Sequence, residues 1–433
     1  MKHSSSMPGF SIHLLALIYA AFVASKVLFV FTQSGSATTP IDEILTVLML
    51  PFAGVAIQRY WRRIWVLPTF FGIYAILGLI SAYVSPFKGV SQPLAAIVDV
   101  VLDAKFAVLV LAGYFAFRRS GKPSVAFYQL CLVIVLFALV NLIFVVRDIF
   151  STGTGIWGQL LAHRLGFWQP SGMFYSHVES TWLTMLGMLC AGYLAVRKKQ
   201  YLWTLTFFAL LIAVLAHFSV KEIIVSVSVV GLYFLHQKGQ YRKAIAVLLV
   251  VPITIFLLAV TPVGSVIASQ FSRYTGGESD SYARVALTNT SYRIAIDEFP
   301  LGSGAGTFAS APSYKFGYSD VYSAYGIDGL NGLSERKPNF ITDVFWPKLL
   351  GQSGVFGLLS YSVLIGWILI GLYRRYLATR SPESAVCFYV LLSAVVISLA
   401  STPFNYESFM VPLAFICAYG LSIQIQPRER LEK

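Results

Sequence analysis

The chain has 433 residues, 57% of them hydrophobic and 15% aromatic, with a mean hydropathy of +0.72. A soluble globular domain is roughly 45–50% apolar, with about 25% of its residues charged, so the composition excludes that class and describes a polytopic membrane protein. The formal net charge of +13 would suit nucleic acid, but the basic residues stand in short clusters between apolar runs, so no nucleic-acid partner is expected.

A helix needs about 20 residues to cross the hydrocarbon of a bilayer. In chain order, apolar runs at 10–31, 41–57, 64–84, 94–117, 125–146, 177–196, 201–220, 222–235, 244–263, 344–373, 384–402 and 407–425 predict about twelve transmembrane helices. The runs at 41–57 and 222–235 are the shortest. With the N-terminus in the cytoplasm, Lys2 precedes the first span, and every later cytoplasmic segment carries three basic residues, from Arg59, Arg62 and Arg63 to Arg428, Arg430 and Lys433. More than half of the 32 Lys and Arg then lie in short loops on one side, the positive-inside pattern. That pattern needs both short spans, since deleting either moves the later clusters to the wrong side.

The expected fold is therefore an all-α polytopic membrane protein with both termini cytoplasmic. It forms a single membrane domain over 1–433, with one large, partly helical external loop at 264–343 between the ninth and tenth spans. The first span has no small-residue cleavage site after a short apolar core, and is expected to be retained. Cys131, Cys190, Cys387 and Cys417 all fall within spans, with neither metal-ligand spacing nor a disulfide framework.

An ionisable group at bilayer depth costs a few kcal/mol and calls for a partner, a wet cavity or a function. Asp99 and Asp103 share a helix face at i, i+4 with Lys105 to one side, and Lys26 of the first span is the cation expected to neutralise them. The group reads either as a structural ion-pair cluster or as a proton or ion relay. His217, Lys221 and Glu222 lie close together at an external turn, where Lys221, in the first turn of a helix beside exposed amides, would suit an anion; a solvated turn is the other reading. Ahead of the sixth span, "AHRLGFWQPSGMFYSHVESTW" carries His163, Arg164, His177 and Glu179. An interfacial aromatic belt accounts for Trp168, Phe174, Tyr175 and Trp182 but not for Arg164 or Glu179.

In the external segment, Ser279 and Asp280 are caps for a helix running without Gly or Pro to Phe299. Arg284 and Arg293 fall on opposite faces of it. Asp297 lies at i+4 from Arg293 and predicts a surface pair, leaving Arg284 for a ligand. The "PLGSGAGTF" that follows comes after a helix and lacks Gly-Lys-Ser/Thr, so it is no nucleotide loop but a tight return of the backbone. Tyr314, Tyr318, Tyr322 and Tyr325 suit stacking on sugar rings, or packing of the loop on the membrane domain. Asp343, at the mouth of the tenth span, is either a helix cap or a general base.

Taken in order, Arg164 with "PSGMFYSH", a basic residue opening a helix after Ser219, Arg284 ahead of "FPLGSGAGTF", and then "GQSGVFGLL" resemble the O-antigen ligase and Wzy-type polysaccharide polymerase superfamily over 161–359. The resemblance implies a substrate oligosaccharide carried on undecaprenyl pyrophosphate at the outer face of a bacterial inner membrane. It also implies metal-independent glycosyl transfer without a cofactor, with membrane lipid around the protein and a chain-length regulator and flippase of the same pathway as partners. Ligases of the superfamily resemble one another in a His, usually followed by Asn, ahead of the last Gly-x-x-Gly turn; here that position is Asp343 followed by Val344, and the external loop contains no His. The departure favours an exopolysaccharide or O-antigen polymerase over a ligase acting on a lipid A core. A lipid-linked oligosaccharide flippase, which needs no long external segment, is the third reading.

On the polymerase reading, Arg284 with Arg164 and Lys221 neutralises the pyrophosphate leaving group. Lys221 stands where the family has Ser-Arg, keeping the charge without the bidentate fork. Asp343, or Glu179 from the facing helix, takes the acceptor proton, and Tyr318, Tyr322, Tyr325 and His177 contact sugar.

Overall fold

A computed structural model describes residues 41–87, 92–161, 163–164, 167–174, 176–217, 219–235 and 283–424. The chain is mostly helical: α1 Ile41–Ile64, α2 Val66–Val84, α3 Gln92–Arg119, α4 Pro123–Ile149, a two-residue hairpin of β1 His163–Arg164 and β2 Phe167–Trp168, α5 His177–Lys198, α6 Tyr201–Ala216, α7 Val220–Leu235, α8 Ala283–Asp297, the one-turn helices α9 Pro312–Lys315 and α10 Val321–Ala324, α11 Trp346–Thr379, α12 Pro382–Ser398 and α13 Glu407–Ser422. The apolar runs expected at 10–31 and 244–263, together with Lys26, Ser279 and Asp280, lie outside the described residues; each of the other runs is a helix.

Among the described residues, four helices are long and apolar enough to cross a membrane: α1 from Glu43, α2, α4 and α11. Shorter apolar helices occupy α6, α12 and most of α7 and α13. The boundaries follow local chemistry. Pro123, Pro347 and Pro382 open α4, α11 and α12, where the missing N–H costs nothing and the fixed φ fits the first turn. α1 runs past the expected end at 57 because Arg59, Arg62 and Arg63 are good helix formers with no Gly or Pro among them, and only Tyr60 (φ −121°) interrupts it.

α3 lies between α1, α2 and α13, α5 packs on α4 and α6, and α11 packs on α2, α12 and α8. In lipid, helices gain from close van der Waals approach at small residues. A Cβ added at Gly113 of α3 would lie 2.8 Å from the Ala418 methyl of α13, and one at Gly187 of α5 would lie 2.3 Å from that of Ala138 on α4. On the far side of α11, Phe356, Leu359, Val363, Ile370, Tyr373 and Leu377 form an exposed apolar stripe at helical spacing.

The two glycine-rich motifs of the sequence meet. α11 is broken at Gly354 (φ 65°, ψ −168°), in a region of backbone space essentially restricted to glycine. The carbonyls freed near the break are taken up by the loop after α8: Ser303 N donates to Gly351 O at 2.8 Å and Gly304 N to Gln352 O at 2.9 Å. The same loop reaches α2, where Ala305 N donates to Gly78 O at 3.1 Å and Ser81 Oγ donates to Gly302 O at 2.7 Å. The expected tight return of the backbone is therefore a wedge between α2, α3 and α11. Beyond it the segment between α8 and α11, expected to be external, has a small core of its own, built from Leu287 and Ile294 of α8 with Phe308, Val321, Tyr322, Leu333 and Ile341.

Candidate functional site

A cleft of about 460 Å³ opens between the external segment and the membrane helices. Glu43 of α1, Asp99, Asp103 and Lys105 of α3, Glu179 of α5 and Lys348 of α11 form its polar wall. Tyr314, Lys315 and Phe316 come from the external segment, Thr342 from the approach to α11, and Asn405 and Tyr406 from the turn before α13.

The acidic wall is organised around Lys348. Its Nζ lies 2.7 Å from Asp103 Oδ1 and 3.0 Å from Asp99 Oδ1, the second contact being a charge contact that lacks hydrogen-bond alignment. Tyr74 Oη donates to Asp103 Oδ2 at 2.5 Å, and Gly306 N donates to Asp99 Oδ2 at 3.0 Å, which ties the glycine wedge to the cluster. Lys105 turns away and pairs with Glu43 at 2.6 Å. Among the described residues the cation that meets Asp99 and Asp103 is Lys348; Lys26, expected in that role, lies outside them. The signal was present in the sequence, as a Lys near the start of the run at 344–373, just after Trp-Pro, where the macrodipole disfavours a cation unless a carboxylate is close.

Arg284 and Asp343, assigned separately to phosphate and to proton transfer, face each other. Arg284 Nε and Nη2 donate to Asp343 Oδ2 at 3.1 and 2.7 Å, and the pair is partly exposed beside Thr342 at the cleft rim. Asp343 does not cap α11, whose N-cap is Phe345 without a side-chain cap. Glu179, in the first turn of α5, reaches the cleft itself and accepts from Ser408 Oγ at 3.2 Å. His177 begins the same helix, is half-buried, and does not line the cleft. Arg164 pairs through its backbone with Phe167 in the short hairpin, and Lys221 lies in the first turn of α7; the side-chain placements of both lie outside the described structure.

The tyrosines divide differently from the expectation. Tyr322 is 0% exposed, accepts from Ala309 N at 2.9 Å and shares a hydrogen with Ser313 Oγ at 2.6 Å, so it has no face for a sugar. Tyr318 packs on it with ring centroids 5.0 Å apart and donates to Leu333 O. Tyr325 donates to Asp297 at 3.1 Å and carries the Arg293 guanidinium 5.0 Å over its ring, so Arg293 is held by Tyr325 in place of the expected i+4 pair. These three side chains build the external segment, while Tyr314 lines the cleft. Burial raises the Tyr314, Tyr318 and Tyr322 hydroxyls above their usual range.

The conspicuous polar residues near α5 and α7 are used internally. Asp148 Oδ2 of α4 accepts from Ser171 N at 3.0 Å and Gly172 N at 2.9 Å, and Asn141 Oδ1 accepts from Met173 N at 3.0 Å, which pins the "PSGM" turn. His217 is buried with Nδ1 2.7 Å from Ala213 O and Nε2 2.9 Å from Ser180 Oγ. Glu222 is buried and accepts from Trp182 Nε1 at 3.2 Å and from Ser219 Oγ.

Among the described residues, no three His, Cys, Asp or Glu side chains converge to hold a metal ion. No family model matches the chain, and no curated protein matches it significantly.

Proposed function

We propose that the chain is a polysaccharide polymerase of the Wzy type, a metal-independent membrane glycosyltransferase that joins lipid-linked oligosaccharide repeats at the outer face of a bacterial inner membrane. The observation that carries this reading is the cleft, with Glu179 and Tyr314 in its lining, and the Arg284–Asp343 pair adjoining the lining residue Thr342. A hydroxyl-rich acceptor finds carboxylate acceptors and a tyrosine face in one concave site.

The depth of the cleft agrees with a lipid-borne substrate. If Arg374 marks the inner end of α11 and Arg118 that of α3, as the positive-inside pattern requires, about 20 residues of hydrocarbon lead outward to Gly354 and Val98. Asp99 and Lys348 then stand at the outer boundary, where a lipid pyrophosphate emerges.

In this mechanism the pyrophosphate displaces Asp343 from Arg284, whose guanidinium stabilises the charge that develops on the leaving group. Glu179 in the cleft lining, or Asp343 once the pyrophosphate has released it from Arg284, receives the proton of the attacking hydroxyl. The glycan leaves its lipid carrier and is joined to the next lipid-linked repeat.

The test is to incubate purified protein in nanodiscs with a lipid-linked repeat unit and resolve the glycan on a gel. A ladder that is lost with Arg284→Ala and Glu179→Gln is expected. Transfer to a lipid A core in place of a ladder would make the chain a ligase. The buried Asp99–Lys348–Asp103 group is the feature that a flippase would share; transbilayer movement of the repeat without joining would favour that reading.

A further inference from the structure

The external helix α8 has two faces. Ala286, Leu287 and Ile294 are buried in the small external core. Turned the other way, Tyr292, Ile296 and, just past the helix end, Phe299 are 59%, 76% and 65% exposed. Their spacing of four and then three residues keeps them on one side. Three large apolar side chains at such exposure would be a liability in water.

This face continues a second exposed apolar surface. The Phe299 ring lies 6.4 Å from that of Phe356, which heads the exposed apolar stripe of the membrane-crossing helix α11. The cations of α8 are drawn to the protein side instead: Arg284 to Asp343, and Arg293 over the Tyr325 ring. Counting about 20 residues outward from Arg374 puts Phe356 at the outer edge of the hydrocarbon, and Phe299 at the same level.

We propose that α8 is an interfacial helix resting on the outer leaflet, with Tyr292, Ile296 and Phe299 inserted at the boundary between headgroups and acyl chains. The occupant of this face is bilayer lipid, because the stripe it continues belongs to a helix long and apolar enough to cross a membrane and Tyr and Phe partition well at the membrane boundary. The helix that carries Arg284 thereby lies at headgroup depth, and a lipid-linked anion reaches that guanidinium by lateral diffusion in the leaflet. The placement requires that α11 crosses the membrane with Arg374 at its inner end, and it stands or falls separately from the glycosyl-transfer reading.

The four native cysteines are all buried, so Ile296→Cys offers a single reactive thiol at an exposed position where substitution leaves the fold intact. The variant is labelled with bimane in nanodiscs of phosphatidylethanolamine and phosphatidylglycerol, and quenched either by lipid carrying a doxyl group near the headgroup or by aqueous iodide. Arg336→Cys, on the exposed part of the external segment, is the water-facing control. Loss of most of the Ile296→Cys emission to the doxyl lipid, with little loss to iodide and the reverse pattern at the control, is the expected result. Iodide quenching equal to that of the control would place α8 in water and overturn the proposal. Shielding from both quenchers would overturn it too, by showing that a second copy or another protein covers the face.

Discussion

Replacing Gly354 by Ala tests the interlock on which the cleft depends. At φ 65°, ψ −168° an L-residue carries strain of about 1–3 kcal/mol. The added Cβ would also lie 2.1 Å from Pro300 O and 2.8 Å from Pro300 C. These are backbone atoms that cannot rotate aside, so the wedge must back away from α11. Retreat lengthens the hydrogen bonds from Ser303 N to Gly351 O and from Gly304 N to Gln352 O, each contributing about 0.5–1.5 kcal/mol. The expected destabilisation is therefore roughly 2–6 kcal/mol. Gly366→Ala is the internal control: it makes the same chemical change in the same helix, with nothing within 4 Å of the added methyl, and should stabilise by up to about 1 kcal/mol through helix propensity. Thermal unfolding of the two variants in one detergent, followed by intrinsic tryptophan fluorescence, should move the midpoint down for Gly354→Ala and leave it unchanged or raised for Gly366→Ala. Equal midpoints for the two variants would refute the interlock.

Removing the charge of Lys348 by Lys348→Met leaves Asp99 and Asp103 buried without their cation and should cost about 3–5 kcal/mol, read as a lower unfolding midpoint; adding Asp103→Asn should restore part of the loss. Burial holds the Tyr322 hydroxyl above the ordinary value of 10.0, so the unfolded chain releases that proton first. Its contribution is complete below about pH 10 and falls as pH rises further, and unfolding midpoints in wild type should drop more steeply across that range than in Tyr322→Phe. Asp343→Asn keeps the shape of the Arg284 partner but removes its charge, and should raise affinity for a pyrophosphate-bearing lipid while lowering the unfolding midpoint only slightly, as for a partly exposed pair; weaker binding would reverse the role given to Asp343. Glu179→Gln should lower the rate of repeat joining without lowering affinity for the lipid-linked donor, measured by single-turnover assay and lipid binding.

The helical segments, and the external stretch that separates α11 from the earlier helices, are legible in the sequence because hydrophobic run length and chain breakers are local properties. Apolar runs set the helices to within a few residues, and Pro and Gly mark their ends. The glycine motifs announce a tight return of backbone for the same reason, as does the helix carrying Arg284 and Arg293 on opposite faces. Arg164 and Lys221 stand near the external turns by sequence alone, and nothing local says where their side chains reach.

Partners lie beyond that reach because they are far apart along the chain. Lys348 meets Asp103 across 245 residues and Arg284 meets Asp343 across 59, and no spacing rule anticipates either contact. The sequence alone establishes that buried carboxylates in a lipid-immersed chain require a cation, since the cost of isolating such charges is general. Only the tertiary structure decides that the cation is Lys348, that Tyr322 serves the core of the external segment while Tyr314 faces the cleft, and that two glycine motifs close on each other. These outcomes depend on which helix faces meet, which is settled by packing summed over the whole fold.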